Sequence, residues 1–387
     1  MAAGISVRTA CIASMLVLAA CSGTAQKPPT SSVAATARGT VGVILAGGPT
    51  ASARYHDFGA QLQRAFEQAD YQPSEFRVDD AQGSDANQLS LAQSDIAAGA
   101  TVLVLDPLTG DIGSQIAAYA RQRGVKVITF ERPIYSGAGN YHVAFDIVQA
   151  GRVIGEGFVK CVADWKVKDP KVFVLNGGED TDPNAVALAM GYNQVLWGDT
   201  VTPQTPGKTN NLGYTLIGDQ IAKGWDIASG TTAFQQHYTA HKEINATLEA
   251  NDDLGNAVIQ VLKRAGVKAG TVPATGQDAT LQGLVNILQG YQCGSVYRPP
   301  LQEAQAVVSL ATALRTGATP SSKLVNATLN PPAGVVGRQQ PAVLLTPVWV
   351  GKTNIDATVL KDGFVDRAAL CGAVGAAICQ ANNIPAY

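Results

Sequence analysis

Charge is scarce in this 387-residue sequence: only 15% of residues are charged, the formal net charge is −2, and no basic run exceeds a pair. Without a basic stripe or tail there is nothing to draw nucleic acid electrostatically, and a ligand need not be charged. No Cys-x-x-Cys pair occurs and no histidine neighbours a cysteine, which argues against a bound metal. His237 and His241 stand four apart, but no Glu occupies the metalloprotease position. Gly47-Gly48 and Gly177-Gly178 lack the third Gly or the Lys-Ser/Thr of a phosphate loop. They read as places where the backbone turns or approaches a ligand, and no cofactor is implied. Repeats of solenoid period are absent as well.

What the chain does have is apolar mass, 46% hydrophobic, enough for a large core divided between two domains. A single Arg8 precedes the apolar run Cys11–Ala20, interrupted only by Ser14 and too short to span a bilayer as a mature helix. Residues 1–20 therefore read as a secretory signal peptide. The ending Leu18-Ala-Ala-Cys21 resembles the lipobox of bacterial lipoproteins, which makes Cys21 the acylated residue. Residues 21–39, rich in Ser, Thr, Pro and Ala, fit a lipidated disordered tether. The expected location is the outer face of the bacterial cytoplasmic membrane, held by the lipid. Cys161, Cys293, Cys371 and Cys379 then remain in an oxidising compartment, with three pairings open. Cys371 with Cys379, across a short Gly- and Ala-rich loop, is the favoured one.

From Val41 onward strand and helix patterns alternate. Strands are expected at 41–45, around Phe76 and Val78, at 101–105, 125–130 and 141–145. Helical spacing marks Phe58, Leu62, Phe66 and Ala69, then Leu89, Ala92 and Ile96 up to Gly99, then Ile112 and Ile116. A helix over about 147–164 leads to a second series. It comprises a strand at 172–175, a helix after Pro183, a strand near 214–217, a helix after Gly230, a strand at 244–248 and its helix. A strand ending near Asp278, another helix, Ser295–Tyr297, a helix over about 302–315 and the strand Val343–Leu345 complete it. Such alternation predicts an α/β fold of two doubly wound parallel-sheet domains, each covered on both faces.

Polar residues gather where the strands end: Asp106, Glu131-Arg132, Asn251-Asp252-Asp253 and Asp278. In open parallel sheets ligands bind beyond the carboxyl ends of the strands, so one cleft lined by strand ends is expected. Asp106, Asp146 and Asp252 also fit helix caps.

Several blocks bear a family resemblance. They are Phe130-Glu-Arg-Pro-Ile134, Val143-Ala-Phe-Asp146, Gly177-Gly178 with Asp182-Pro-Asn-Ala185, Gly218-Asp-Gln220 with Gly224-Trp225, and Ala250-Asn-Asp252. Thr275-Gly-Gln-Asp278, Val296-Tyr-Arg-Pro299, Leu344-Leu-Thr-Pro347 and Lys361-Asp-Gly-Phe364 follow in order. From Val41 to Phe364 the chain resembles the type I periplasmic sugar-binding proteins. The resemblance implies a clamp of two lobes, 40–146 plus 300–346 and 147–299 plus 347–387, crossed by three hinge segments near Asp146, Arg298–Pro300 and Pro347. It implies a ligand set of Glu131, Arg132, Asp182, Asn184, Asn251, Asp278 and Arg298, with Trp225 and Tyr55 as stacking faces. The ligand would be a monosaccharide, D-xylose or another pentose, a hexose, or a sugar alcohol. The partner would be the permease of an ABC transporter, the receptor itself being monomeric. These residue types suit a sugar: carboxylates and Asn accept from or bridge hydroxyls, Arg donates in a planar fork, and an aromatic plane covers C–H faces.

Two other classes compete. Glu131, Asp182 and Asp278 contain the carboxylates of a glycosidase-type pair, yet no nucleophile and base stand together, so no enzyme is expected. A regulator with the same clamp fold would need a basic helix-turn-helix before residue 40, where the secretion signal lies. A receptor reporting sugar to a signalling partner is the remaining variant of the binding reading.

Overall fold

The computed structural model describes residues 39–47, 58–135, 141–178, 182–331 and 337–385. Cys21, the tether and Tyr55 lie outside them.

The first series runs β1 (Thr40–Leu45), α1 (Phe58–Gln68), β2 (Phe76–Asp80), α2 (Asp85–Ala97), β3 (Ala100–Leu105), α3 (Gly110–Gln122), β4 (Lys126–Phe130) and β5 (Tyr141–Phe145). The second runs α4 (Ile147–Asp164), β6 (Lys171–Gly177), α5 (Pro183–Trp197), β7 (Thr215–Ala222), α6 (Ile227–Ala240), β8 (Ala246–Glu249), α7 (Asp252–Arg264), α8 (Leu281–Gln289) and β9 (Ser295–Tyr297). Then come α9 (Pro300–Arg315), β10 (Ala327–Leu329), β11 (Gln340–Leu345), β12 (Val348–Val350), α10 (Arg367–Val374) and α11 (Ala376–Ala381).

These strands form a seven-stranded sheet ordered β10-β11-β5-β4-β3-β1-β2, a three-stranded sheet β7-β6-β8 and the ribbon β12-β9. All pairs in the two larger sheets are parallel except β10 with β11. Alternation along each strand sends side chains to both faces. Val41, Val43, Val102 and Val104 meet Phe58, Leu62 and Phe66 of α1 and Val307 and Leu310 of α9. Ile44, Leu103, Leu105 and Val127 meet Ala92, Ile112 and Ile116 on the other face. The three-stranded sheet is sandwiched likewise. Val172, Val174 and Leu248 pack with α4 and α5 through Ile154, Phe158, Leu188 and Tyr192. Phe173 and Leu175 pack with Phe234, Leu254 and Val258. The chain passes between these layers three times, after Phe145, after Tyr297 and after Leu345.

Several local expectations are corrected. The second series is not a full copy of the first, because no strand forms before Asp278. Pro273 has no N–H to give a ladder, and the Thr275 N–H donates to a Glu249 carboxylate oxygen at 2.9 Å instead. A single bridge, Gln277 with Val296, is what remains. Strand β7 continues past Ile217 to Ala222, and α6 starts at Ile227, before Gly230, because Asp226 caps it. Helix α9 likewise opens at Pro300, whose missing N–H costs nothing in a first turn. Asp146 caps α4, but Thr109 caps α3 rather than Asp106, and Asn251 caps α7 rather than Asp252.

The 201–211 segment is tied down by buried Asp219, which accepts from the Gln204 N–H at 2.8 Å and from Asn176. The tail 366–385 adds α10 and α11 to a small core with Leu284, Ile287, Tyr297 and Val359. Cys371 bonds Cys379 within that tail, and Cys161 on α4 bonds Cys293 before β9.

Glu249 is fully buried, and desolvation lifts its carboxyl to about 8 from its ordinary 4.5. Because the folded value is raised, the stability this group contributes is complete below the unfolded value and is lost as pH rises toward the folded one. Asp106 and Asp252, both pushed up to about 7 by burial, act in the same direction. The melting temperature is therefore expected to fall between about pH 5 and about pH 8, and Glu249→Gln to make that fall shallower. Equal slopes in the two proteins would reject the assignment.

Candidate functional site

The carboxyl ends of the parallel strands in both sheets face one cleft of about 600 Å³. From the seven-stranded sheet come Ala46 after β1, Asp80 at the end of β2, Asp106 after β3, and Glu131 with Arg132 after β4. From the other side come Asp182, Asn184, Trp225, Asn251, Gln277, Asp278 and Arg298. Every ligand position read from the sequence lines this cleft except Tyr55, which falls outside the described residues.

Asp182 serves two structures at once. One carboxylate oxygen caps α5 by accepting from the Asn184 and Ala185 N–H groups, at 2.9 and 3.3 Å. The other accepts from the Trp225 indole N–H at 2.9 Å. The indole lies over Gly177, where an added Cβ would fall 1.9 Å from a ring carbon. Only glycine lets the plane lie down at that strand end, and the ring is thereby fixed against the cleft wall. Across the cleft Phe58 and Phe130, buried in the core, stack behind the wall with centroids 5.1 Å apart. Their strand and helix periodicity marks them as core, and that is where they lie.

Among the described residues the cations of the cleft are already paired. Arg132 Nη1 lies 3.2 Å from Asp106 Oδ1, an ion pair that holds down a carboxyl otherwise pushed up by burial. Arg298, only 7% exposed, reaches Asp278 with Nη2 at 2.9 Å and Glu131 with Nη1 at 3.6 Å. A residue next to β9 thus joins a carboxylate from the first sheet to one from the second series. Asn251 caps α7 through the Leu254 N–H at 2.9 Å, leaving its side-chain N–H₂ as donor.

Three cleft residues hold left-handed backbone without being glycine: Glu131 at φ 59°, Trp225 at 62° and Asp278 at 92°. Such strain is uncommon and gathers at functional sites. Gln277 was not singled out by the sequence reading. Its amide oxygen is buried without a partner while the residue lines the cleft. The Thr275-Gly-Gln-Asp278 block contains it, and only the fold shows which of its members faces the opening. Among the described residues no group of His, Cys, Asp and Glu could hold a metal ion, and His237 and His241 bond Ala233 and Glu243 separately.

Paired α/β layers with a polar cleft at the strand ends, crossed three times by the chain, define the type I periplasmic binding protein class. The family described as periplasmic binding protein domain matches residues 48–319, and the chain belongs to that family. It is 31% identical to the D-xylose-binding periplasmic protein of Escherichia coli K12 over 76% of this chain and 82% of that one. It is 29% identical to the multiple sugar-binding periplasmic receptor ChvE of Rhizobium radiobacter, over 84% and 91% respectively. Among solved structures, an ABC transporter solute-binding protein from Clostridium phytofermentans with bound β-D-glucose aligns with TM-score 0.68. That alignment, at 23% identity, covers 86% of this chain and 99% of the other.

Proposed function

We propose that this chain is the substrate-binding lipoprotein of an ABC importer, capturing a monosaccharide or sugar alcohol in its cleft and presenting it to the permease. The observation that carries the reading is the meeting of the part-exposed Trp225 indole with hydrogen-bonding groups from both sheets. Flat apolar faces and a ring of donors and acceptors are what a pyranose or furanose presents in complement. The family and the sugar-binding names of its relatives support it; turnover is not required by any residue of the site.

In this reading the lobes are 40–146 plus 300–346 and 147–299 plus 347–387, with the three crossings as the hinge. Closing them buries the sugar between Trp225 and the polar ring. D-xylose or a related pentose is the first candidate ligand, and Cys21 the acylated anchor at the membrane surface. A Cys21→Ser chain recovered in the soluble fraction would fit the anchor; one that stays with the membrane would remove it.

A thermal-shift screen of residues 39–387 against pentoses, hexoses and pentitols tests the ligand class, since a ligand of the folded state raises the melting temperature. Among the described residues the cleft places Asp80, Asp106, Glu131, Asp182, Asp253 and Asp278 against Arg132 and Arg298 alone, both already paired. Sugar acids and sugar phosphates are therefore expected to give no shift. A shift with an anionic sugar alone would overturn this reading. Trp225→Ala is expected to weaken binding by roughly 1–3 kcal/mol, through loss of the stacking plane and of its bond to Asp182. Calorimetric titration with the shifting sugar reads the change, and undiminished affinity would remove Trp225 from the site.

A further inference from the structure

Behind the cleft wall lies a carboxylate that touches none of the space a ligand would fill. Asp252 is 1% exposed, and four donors converge on it. Oδ1 accepts from Gln292 Nε2 at 2.8 Å and from Ser295 Oγ at 2.7 Å. Oδ2 accepts from the Thr280 N–H at 2.7 Å and its hydroxyl at 3.1 Å. The Asp252 N–H in turn donates to the Gln277 carbonyl at 3.0 Å. Space around the carboxylate is so short that a Cβ on Gly276 would lie 2.0 Å from Oδ1.

Thr280, Ser295 and Gln277 among these partners lead to cleft residues. Asn251 directly precedes Asp252 in the chain. Thr280 closes the turn in which Asp278 and Ala279 hold φ of 92° and 48°, a pair of left-handed residues with no glycine. Ser295 relays the contact, since its Oγ also accepts from the Ala279 N–H at 3.0 Å. It begins β9, whose register continues to Arg298, and the Asp278 N–H bonds the Val296 carbonyl of that strand at 2.8 Å. Two backbone-strained residues can be kept in place only where surrounding bonds over-determine them.

We infer that Asp252 is a positioning residue of the binding site, a side chain that fixes the turn of Asp278 and, through Ser295 and β9, the placing of Arg298 beside it. The inference rests on the proposed binding role of the cleft, but its first test does not. Gln292 Nε2 at Oδ1 and the Thr280 N–H at Oδ2 can only donate, so each oxygen has to accept. Asp252→Asn keeps the shape and turns one acceptor into a donor facing donors.

Hydrogen exchange on the full-length protein is expected to speed up about tenfold or more at the Asp278, Ala279 and Thr280 amides of Asp252→Asn, with Val174 and Leu248 unchanged. Ser295→Ala, a milder change should the first variant fold poorly, is expected to release Ala279 in the same way. Titration with D-xylose and with D-glucose supplies the second readout. Asp252→Asn is expected to weaken binding roughly tenfold in the native sequence and less than about twofold in an Asp278→Ala background, because the two residues act as one unit. Unchanged exchange at 278–280, acceleration shared equally by Val174 and Leu248, or a penalty that persists in the Asp278→Ala background would each overturn the assignment. If the native protein bound neither sugar, the proposed ligand class would fall, while the exchange result would still decide for or against Asp252.

Discussion

Arg298→Ala is expected to lower the unfolding free energy by about 3–5 kcal/mol and to abolish measurable sugar binding. The Arg298 side chain is 8% exposed and lies between two carboxylates that are themselves largely withdrawn from water, Glu131 at 8% and Asp278 at 16% side-chain exposure. Removing it leaves both acids facing each other with no cation between them, and an uncompensated buried charge costs far more than the intact pair contributes. The loss is double in kind. Stability falls because the carboxylates repel, and binding falls because they no longer hold their places on either side of the cleft. Arg298→Lys separates the two effects: it restores a charge but not the fork that reaches two acids at once. Urea denaturation is expected to show most of the stability returned by lysine and little of the affinity. An alanine variant with a wild-type denaturation midpoint would show that the triad does not hold the fold.

The second large effect is expected from Cys161 and Cys293. Their bond joins α4 to the segment before β9 across 132 residues of sequence, whereas Cys371 and Cys379 are separated by only 8. In the chain-entropy account the longer loop restrains the unfolded chain more, by about 5 kcal/mol against roughly 2.5 for the shorter. Cys161→Ala with Cys293→Ala is therefore expected to cost about twice as much stability as the same change at Cys371 and Cys379. Denaturant titration of the two double variants reads this directly. The reverse ranking would mean that the tail disulfide holds more of the native core than α10 and α11 suggest.

The layer order was legible because central strands such as β1 and β3 are apolar runs and the amphipathic helices repeat at their own period. Val102–Leu105 and the stripe Phe58, Leu62, Phe66 fold as they read. Glu131 and Asn251 were legible as cleft residues for a related reason, polar side chains just after buried strands having few other places to be, whereas Asp182 came only through the family resemblance and Asp278 from a strand that does not form. What local pattern could not carry was non-local bonding. The strand expected before Asp278 fails because Thr275 gives its N–H to a side chain 26 residues away. Asp252 reads as a helix cap because a first-turn acid often is one, and its four donors come from segments 28 to 43 residues further on. Left-handed backbone at Glu131, Trp225 and Asp278 leaves no mark in residues whose side chains give no hint of it.

The pairing order of the seven-stranded sheet bears on how this chain is made. Strand β5 ends at Phe145, yet its outer partner β11 begins only at Gln340. While a ribosome lengthens the chain through all the intervening residues, β5 stands as an open parallel edge, and such edges invite pairing with other chains. Helix α9, which covers one face of that sheet, emerges late as well. The chain cannot finish its first unit before nearly all of it has been synthesised, so a nascent chain interrupted before residue 340 is an aggregation-prone fragment rather than a folded half.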